Sequence, residues 1–361
     1  MKIPFLDLHL QLKEEIHDLK HVFENILLND TLSGGEATRK FESQFSSFIG
    51  TDFCVGCANG TDALEVILRA IGVGQGDEII LPANGWLSAA EMVYQLQATP
   101  VYVDADWKTR NIDTSLIEEK ITPSTKAIIP IHLYGLPADM KTIRSLADRY
   151  NLYAVEDCAQ AHGASFANTK VGNWGHASAF SFYPTKNLGA LGEAGAINTS
   201  HIKLANACRM LINHGQIDKN VHKSFGRNSR IDSLQAGFLN YRLNKLDSYN
   251  EKRQDLAKIY LQALQGLPIG LPHTQSDIVQ VYHLFVITTD CRDRLQNFLH
   301  KRGIGTAVHY PKAVSDLPHL NPSACPVATR LSQQVLSLPL HPYLSEDEVH
   351  VVCTAIHSFF A

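Results

Sequence analysis

Short apolar runs rich in β-branched residues alternate with stretches of helical period through residues 62–156. Residues 62–71 (DALEVILRAI) carry apolar positions at helical spacing, and the apolar run after GVGQGDE stops at Pro82. Then come 101–103 (VYV), 127–133 (AIIPIHL), the helical stretch 137–150 (PADMKTIRSLADRY) and 152–156 (LYAVE). Parallel strands need a crossover segment between them, and helices usually supply it. The alternation therefore predicts a mixed, mostly parallel sheet flanked by helices, an α/β fold. Residues 11–28 also read as a helix, and 232–264 as one long amphipathic helix. Gly266-Leu267-Pro268 and Gly270-Leu271-Pro272 then break the pattern. A strand (283–288), a helix (292–302) and a second strand (304–310) follow. The expected division is a large domain over 1–245 and a smaller C-terminal α/β domain over 246–361.

A length of 361 residues suits about two domains. Apolar residues at 45% and charged residues at 19% fit a globular chain and exclude disorder. The net charge of −4 comes without a long basic block, which argues against a nucleic-acid surface. Apolar runs fall short of a membrane span, and the N-terminus turns polar too early for a signal peptide. Seven scattered cysteines point to a reduced, cytoplasmic setting rather than a disulfide framework. Cys54-Val55-Gly56-Cys57 reads as small strand residues, since a metal site wants a second pair. The 17 histidines show no ligand spacing, so no metal is expected.

Three segments carry candidate chemistry. Asp157 ends the apolar run Leu152–Val155, placing a carboxylate at a strand's C-terminal end, where open α/β sheets bind ligands. Gln160 and His162 follow it. A strand ending in Phe180-Ser181-Phe182-Tyr183 meets Pro184, then Lys186, then a loop with Gly189, Gly192 and Gly195. A lysine there can be drawn into a pocket, where its pKa falls and its amine forms an imine. Asn59-Gly60-Thr61-Asp62 runs from a strand into a helix, whose first amides and dipole suit a phosphate. Taken singly, each has a plainer reading: a helix cap, a solvated lysine, a tight loop. Pyridoxal phosphate would use all three at once, as imine lysine, acidic partner and phosphate cup.

At these residues the chain resembles the DegT/StrS sugar aminotransferases, fold-type I pyridoxal-phosphate enzymes with a large domain and a smaller C-terminal one. The motifs span nearly the whole length: the opening Ile3–Leu8, NGTDAL (59–64), GQGDEIILPAN (74–84), PIHLYGLPADM (130–140), VEDCAQAHGA (155–164), FSFYPTKNLGALGEAGA (180–196), GRNSRIDSLQAGFL (226–239), IGTAVHYP (304–311) and Leu338-Pro339-Leu340. The resemblance implies that Lys186 bonds the cofactor and shuttles the proton, and that Asp157 keeps the pyridine nitrogen protonated. Gln160 would lie beside the ring, Trp86 would stack on it, and Gly60, Thr61 and Ser181 would bind the phosphate. Asn228 would reach the phosphate in a neighbouring subunit, so a homodimer with shared active sites is expected. His162, Tyr183, His309 and Tyr310 are the expected sugar contacts.

YPTKNLGALG is most similar to enzymes acting on dTDP-linked 3-keto-6-deoxyhexoses. The expected reaction moves an amino group from glutamate to the keto carbon by a ping-pong route, giving a 3-amino-3,6-dideoxy sugar nucleotide, a building block of the kind used in O-antigens. Amination at C4 of a dTDP- or UDP-linked sugar, or a non-catalytic cofactor-binding regulator, are the alternatives. Two departures stand out. Relatives read PxxTY or PxxTF where this chain has Pro82-Ala83-Asn84-Gly85-Trp86, and the glycine is expected to loosen that turn. Relatives read HYPxPxH where this chain has His309-Tyr310-Pro311-Lys312-Ala313-Val314.

Overall fold

A computed structural model describes residues 2–361. Nine strands fall in the first two hundred residues: β1 (Phe53–Cys57), β2 (Glu78–Pro82), β3 (Thr99–Val103), β4 (Thr125–Ile128), β5 (Tyr153–Asp157), β6 (Ser165–Phe166), β7 (Thr169–Lys170), β8 (Ala177–Ser181) and β9 (Gly195–Thr199). The helices are α1 (Leu8–Asn29), α2 (Glu36–Ile49), α3 (Gly60–Ala70), α4 (Ser88–Gln95), α5 (Met140–Tyr150), α6 (Ile202–Leu211), α7 (Ser233–Leu243), α8 (Leu246–Ala263), α9 (Arg292–Lys301), α10 (Pro326–Gln334) and α11 (Glu346–Phe360). The later strands are β10 (Gln216–Asp218), β11 (Val221–His222), β12 (Ile278–Val279), β13 (Phe285–Thr288) and β14 (Val335–Leu338).

Seven strands form the central sheet in the order β1-β9-β8-β5-β4-β2-β3. Pairing is parallel from β8 through β5, β4 and β2 to β3; β9 runs against both its neighbours. The sheet is therefore mixed and mostly parallel. Its strands are apolar on both faces because helices cover both. Ile79 and Leu81 of β2 pack in one core cluster with α3 and α4, while Ile80 between them packs in another with α5. That is the period-two alternation of a strand with two buried sides.

A separate apolar cluster forms around the antiparallel pair β13–β14. Tyr260 of α8, Leu295 and Leu299 of α9, and Val349 and Val352 of α11 pack with Phe285 and Leu336, and Ile3 joins them. Arg110 ties the two regions together: it is buried and donates to the carbonyls of Val286 and Gly270.

Two expectations from periodicity need correction. Residues 232–264 form two helices, because the chain breaks at Asn244-Lys245. There the Lys245 amide donates to the Arg242 carbonyl at 2.9 Å, a tighter i→i−3 bond that ends the first helix. Residues 304–310 form no strand. Only Ile304 and Ala307 make isolated bridges, to Ile3 and Ser337. The segment is extended but touches a different partner at each end.

Candidate active site

The parallel strands deliver their C-terminal ends to one edge of the sheet, and a cavity of about 810 Å³ opens there. Asp157 is the last residue of β5 and Ser181 the last of β8, a neighbouring strand. Asn59 stands before α3, where its side chain accepts from the Asp62 amide at 2.8 Å and caps the helix. Gly60, Thr61, Trp86, Asp157, Gln160, Ser181, Tyr183, Lys186 and Tyr310 all line this cavity. Nine of the twelve expected site residues thus meet in one place.

One end of the cavity is built from α3. The Asp62 and Ala63 amides are taken by Asn59. Those of Gly60 and Thr61 have no preceding turn to donate to. A Cβ at Gly60 would lie 2.6 Å from the Ser181 Cβ, so only glycine lets the helix start come this close to β8. Thr61 Oγ1 meets Ser88 Oγ at 3.0 Å, adding two hydroxyls. Amides, hydroxyls and the positive end of the helix dipole together suit a dianionic phosphate.

The other end holds opposite charges. Asp157 is buried, and burial pushes its carboxyl pKa up; the Ala159 amide (3.0 Å to Oδ1) and Lys186 pull it back. Burial likewise pushes the Lys186 ammonium down to about 8, with Asp157 opposing. Gln160 is buried, accepts from the Tyr134 amide at 2.7 Å and donates to the Tyr310 hydroxyl at 3.0 Å. Trp86 and Tyr310 stand 5.5 Å apart at the mouth. Pyridoxal phosphate fits this donor set: amides for its phosphate, a carboxylate for its ring nitrogen, and an amine of lowered pKa for its aldehyde.

Three expected residues lie elsewhere. His162 is fully buried between Phe180 and Phe182, with no surface to offer a sugar, and burial pushes its pKa down to about 3. His309 turns away: its Nδ1 meets Ser337 Oγ at 2.8 Å, its ring stacks on Phe5, and its carbonyl accepts from the Tyr134 hydroxyl. Asn228 is exposed outside the cavity, beyond the β10–β11 hairpin. Gly85 is not a looser threonine position. Its φ is +116°, and a Cβ would lie 2.9 Å from Ile131, so this turn requires glycine.

Sequence reasoning placed Asn59 in the phosphate-suited segment without assigning it the cap, and passed over Ser88 and Glu193. The first two carry the ordinary signal of a polar residue opening an apolar helical run. Glu193 sits among glycines and alanines with no periodic signal, yet its carboxylate lines the cavity.

Among the described residues, His132, Glu156 and Cys158 form a buried grouping with metal-like spacing. Glu156 already accepts from the amides of Gly172, Trp174 and Gly175 and from His132, whose Nδ1 accepts from Ala138. These lone pairs are committed within the protein. No helix among the described residues is long and apolar enough to cross a membrane.

Residues 13–357 match the DegT/DnrJ/EryC1/StrS aminotransferase family. The chain is 41% identical, over 99% of its length and 96% of the relative's, to dTDP-3-amino-3,4,6-trideoxy-alpha-D-glucose transaminase of Streptomyces venezuelae. It is 39% identical, over 98% and 97%, to UDP-N-acetyl-3-dehydro-alpha-D-glucosamine 3-aminotransferase of Acidithiobacillus ferrooxidans. The crystal structure of S. venezuelae DesV with a ketimine intermediate superposes with a TM-score of 0.97 at 41% identity, covering 99% of this chain and 98% of that one. The chain therefore belongs to the DegT/DnrJ/EryC1/StrS aminotransferase family, with the fold-type I architecture and pyridoxal 5′-phosphate as cofactor.

Proposed function

We propose that this enzyme moves an amino group from glutamate to the keto carbon of a dTDP-linked 3-keto-6-deoxyhexose, making a 3-amino-3,6-dideoxy sugar nucleotide. The observation that carries this reading is the meeting of Lys186, Asp157 and the start of α3 in one cavity. When bound, pyridoxal phosphate supplies an electron sink for the carbanion left when a substrate carbon loses its proton. The Gly60 and Thr61 amides and the Thr61 and Ser181 hydroxyls would hold the phosphate. Asp157 would hold a proton on the ring nitrogen. Trp86 would cover one ring face, and Gln160, which donates to the Tyr310 hydroxyl, would lie beside the ring.

Lys186 would bond the cofactor and shuttle the proton between the substrate carbon and the cofactor. A pKa of about 8 leaves about a tenth of the amine neutral at pH 7, far more than for an ordinary lysine, as a proton carrier needs. Donor and acceptor use the same space in turn, which makes the kinetics ping-pong. Tyr183, Tyr310 and Glu193 at the cavity wall are the proposed sugar contacts. His162 and His309 act from behind, by packing.

A homodimer with shared sites belongs to this reading. Phe225 is 96% exposed, with Ile217 and Val221 exposed on the neighbouring hairpin, an apolar set that a second copy would cover. Asn228 lies beside it, exposed, and in this reading it reaches the phosphate of the second copy. A cytoplasmic setting suits seven cysteines that are all free. The same transfer on a UDP-linked sugar is the second reading, favoured by the A. ferrooxidans relative.

The test is a visible spectrum of the loaded protein before and after glutamate. A band near ~420 nm should give way to one near ~330 nm. Adding dTDP-3-keto-6-deoxyglucose should restore the first band and yield the amino sugar by mass. Restoration only by a UDP-linked 3-keto sugar favours the second reading, and a loaded protein unchanged by glutamate overturns the donor half.

A further inference from the structure

Asn187, next in the chain to Lys186, uses its whole carboxamide to join separate parts of the fold. Its Nδ2 donates to Asn250 Oδ1 at 2.9 Å and to the Val281 carbonyl at 3.0 Å. Its Oδ1 accepts from His283 Nδ1 at 3.1 Å. Both amide protons are spent, so the orientation of the group is defined from two sides. Asn250, on α8, passes the connection on: its Nδ2 donates to the His162 carbonyl at 2.9 Å. His162 lies five residues after Asp157, in the loop that carries Gln160. A continuous run of hydrogen bonds therefore links the lysine loop, α8, residues 281–283 and the loop that follows Asp157.

Asn250 and His283 are buried, so water has little access to replace these bonds. Burial also favours neutral His283, and because Asn187 Oδ1 can only accept, the bond requires the tautomer with its proton on Nδ1. Lys186 itself makes no side-chain hydrogen bond among the described residues; its amide donates to the Tyr183 carbonyl at 2.8 Å. The aim of a long, flexible side chain then depends on how firmly its backbone is held.

We propose that Asn187 is a positioning residue for Lys186: with Asn250 and His283 it fixes the lysine loop to the Asp157 loop, holding amine and carboxylate in register. This rests on the reading of Lys186 as the amine that bonds the cofactor. The charged and titratable groups facing Lys186 are Asp157, His162, His283 and His309. Asn187 adds no charge to that set, and an aspartate there would.

The experiment follows capture of pyridoxal phosphate by the full-length, cofactor-stripped protein. Amine and aldehyde condense to a carbon–nitrogen double bond and release one water. Borohydride reduction and peptide mass locate the label. Label on a lysine other than 186 overturns the reading of Lys186, and that outcome is read from the wild-type protein alone. With the label on Lys186, Asn187→Ala should lower the maximal capture rate about tenfold to a hundredfold, as small misplacements of a reacting group do, with the half-saturating concentration unchanged. Asn187→Asp should move the pH midpoint of capture upward from about 8, because it adds a carboxylate at His283, which faces the ammonium, and so favours the charged form. His283→Asn, which keeps an N–H donor near the place of Nδ1, should capture at close to the wild-type rate.

A purely structural role would lower the melting temperature and leave the folded protein's capture rate and midpoint where they were, overturning the proposal. Asn250→Ala provides the second variant and should slow capture in the same way. Wild-type capture by folded Asn187→Ala or Asn250→Ala overturns the proposal, and so does failure of both to fold, which would assign the network to stability alone.

Discussion

Gly60 meets Ser181 so closely that a Cβ at position 60 would stand 2.6 Å from the serine's own. Both residues line the end of the cavity proposed to take the phosphate. Gly60→Ala must therefore push the first turn of α3 away from β8. Overpacking of this kind costs about 1–3 kcal/mol. The displaced atoms are the proposed phosphate donors, so cofactor affinity should fall by about tenfold, measured by titration of the stripped protein. A variant that lost stability but bound the cofactor as tightly as wild type would place the phosphate elsewhere.

Lys186 should impose its own pH dependence on cofactor capture. Its pKa of about 8 leaves about a tenth of the amine neutral at pH 7, against about three in ten thousand for an ordinary lysine. Capture should climb with pH through about 8 and then level off. Lys186→Ala should still hold cofactor by its phosphate but form no band near ~420 nm. A rate still climbing steeply above pH 9 would show an unperturbed lysine.

Asp157 sets function against stability. Burial raises its pKa in the folded protein, so its ionised form is disfavoured there relative to the unfolded chain. The sign follows: the penalty is present above the raised pKa and disappears as the pH falls through it. Asp157→Asn should therefore raise the melting temperature of the cofactor-free protein at pH 8, with the gain shrinking in acid. The same variant should lose amino transfer by about a hundredfold or more, because a neutral amide cannot keep the ring nitrogen protonated. A melting temperature lowered at every pH would mean that the Lys186 attraction outweighs the burial.

Much of this site is legible in the chain because strand ends announce themselves. Asp157 closes an apolar run, Lys186 enters a glycine-rich loop after another, and Asn59-Gly60-Thr61 opens a helical period. Those signals are local. His162 was misplaced because its burial comes from Phe180 and Phe182, side chains contributed by a later strand. His309 was misplaced for the same reason, since Ser337 and Phe5 are distant in sequence. The break at Asn244-Lys245 was hidden because the apolar period runs across it. Gly85 was read as a loosened threonine, since no local pattern reports the +116° backbone that excludes a side chain.

Glu156, one residue before Asp157, points to the opposite face of β5, as neighbours on a strand must. There it accepts four hydrogen bonds while fully buried: from Gly172 and His132 on Oε2, and from Trp174 and Gly175 on Oε1. Glu156→Gln would replace one oxygen by an amide that can only donate. Either orientation sets that amide against two donors, so no rotation relieves the conflict. Breaking a buried charged network in this way costs about 3–5 kcal/mol, which urea unfolding would read directly. The backbone of Asp157 bonds to the same segment, through Pro130 and His132. Glu156→Gln should thus weaken cofactor binding through the frame, whereas Asp157→Asn weakens catalysis through the carboxylate itself. Urea resistance equal to wild type would mean that the amides of Gly172, Trp174 and Gly175 find other acceptors, and that the loop they belong to moves more freely than its burial suggests.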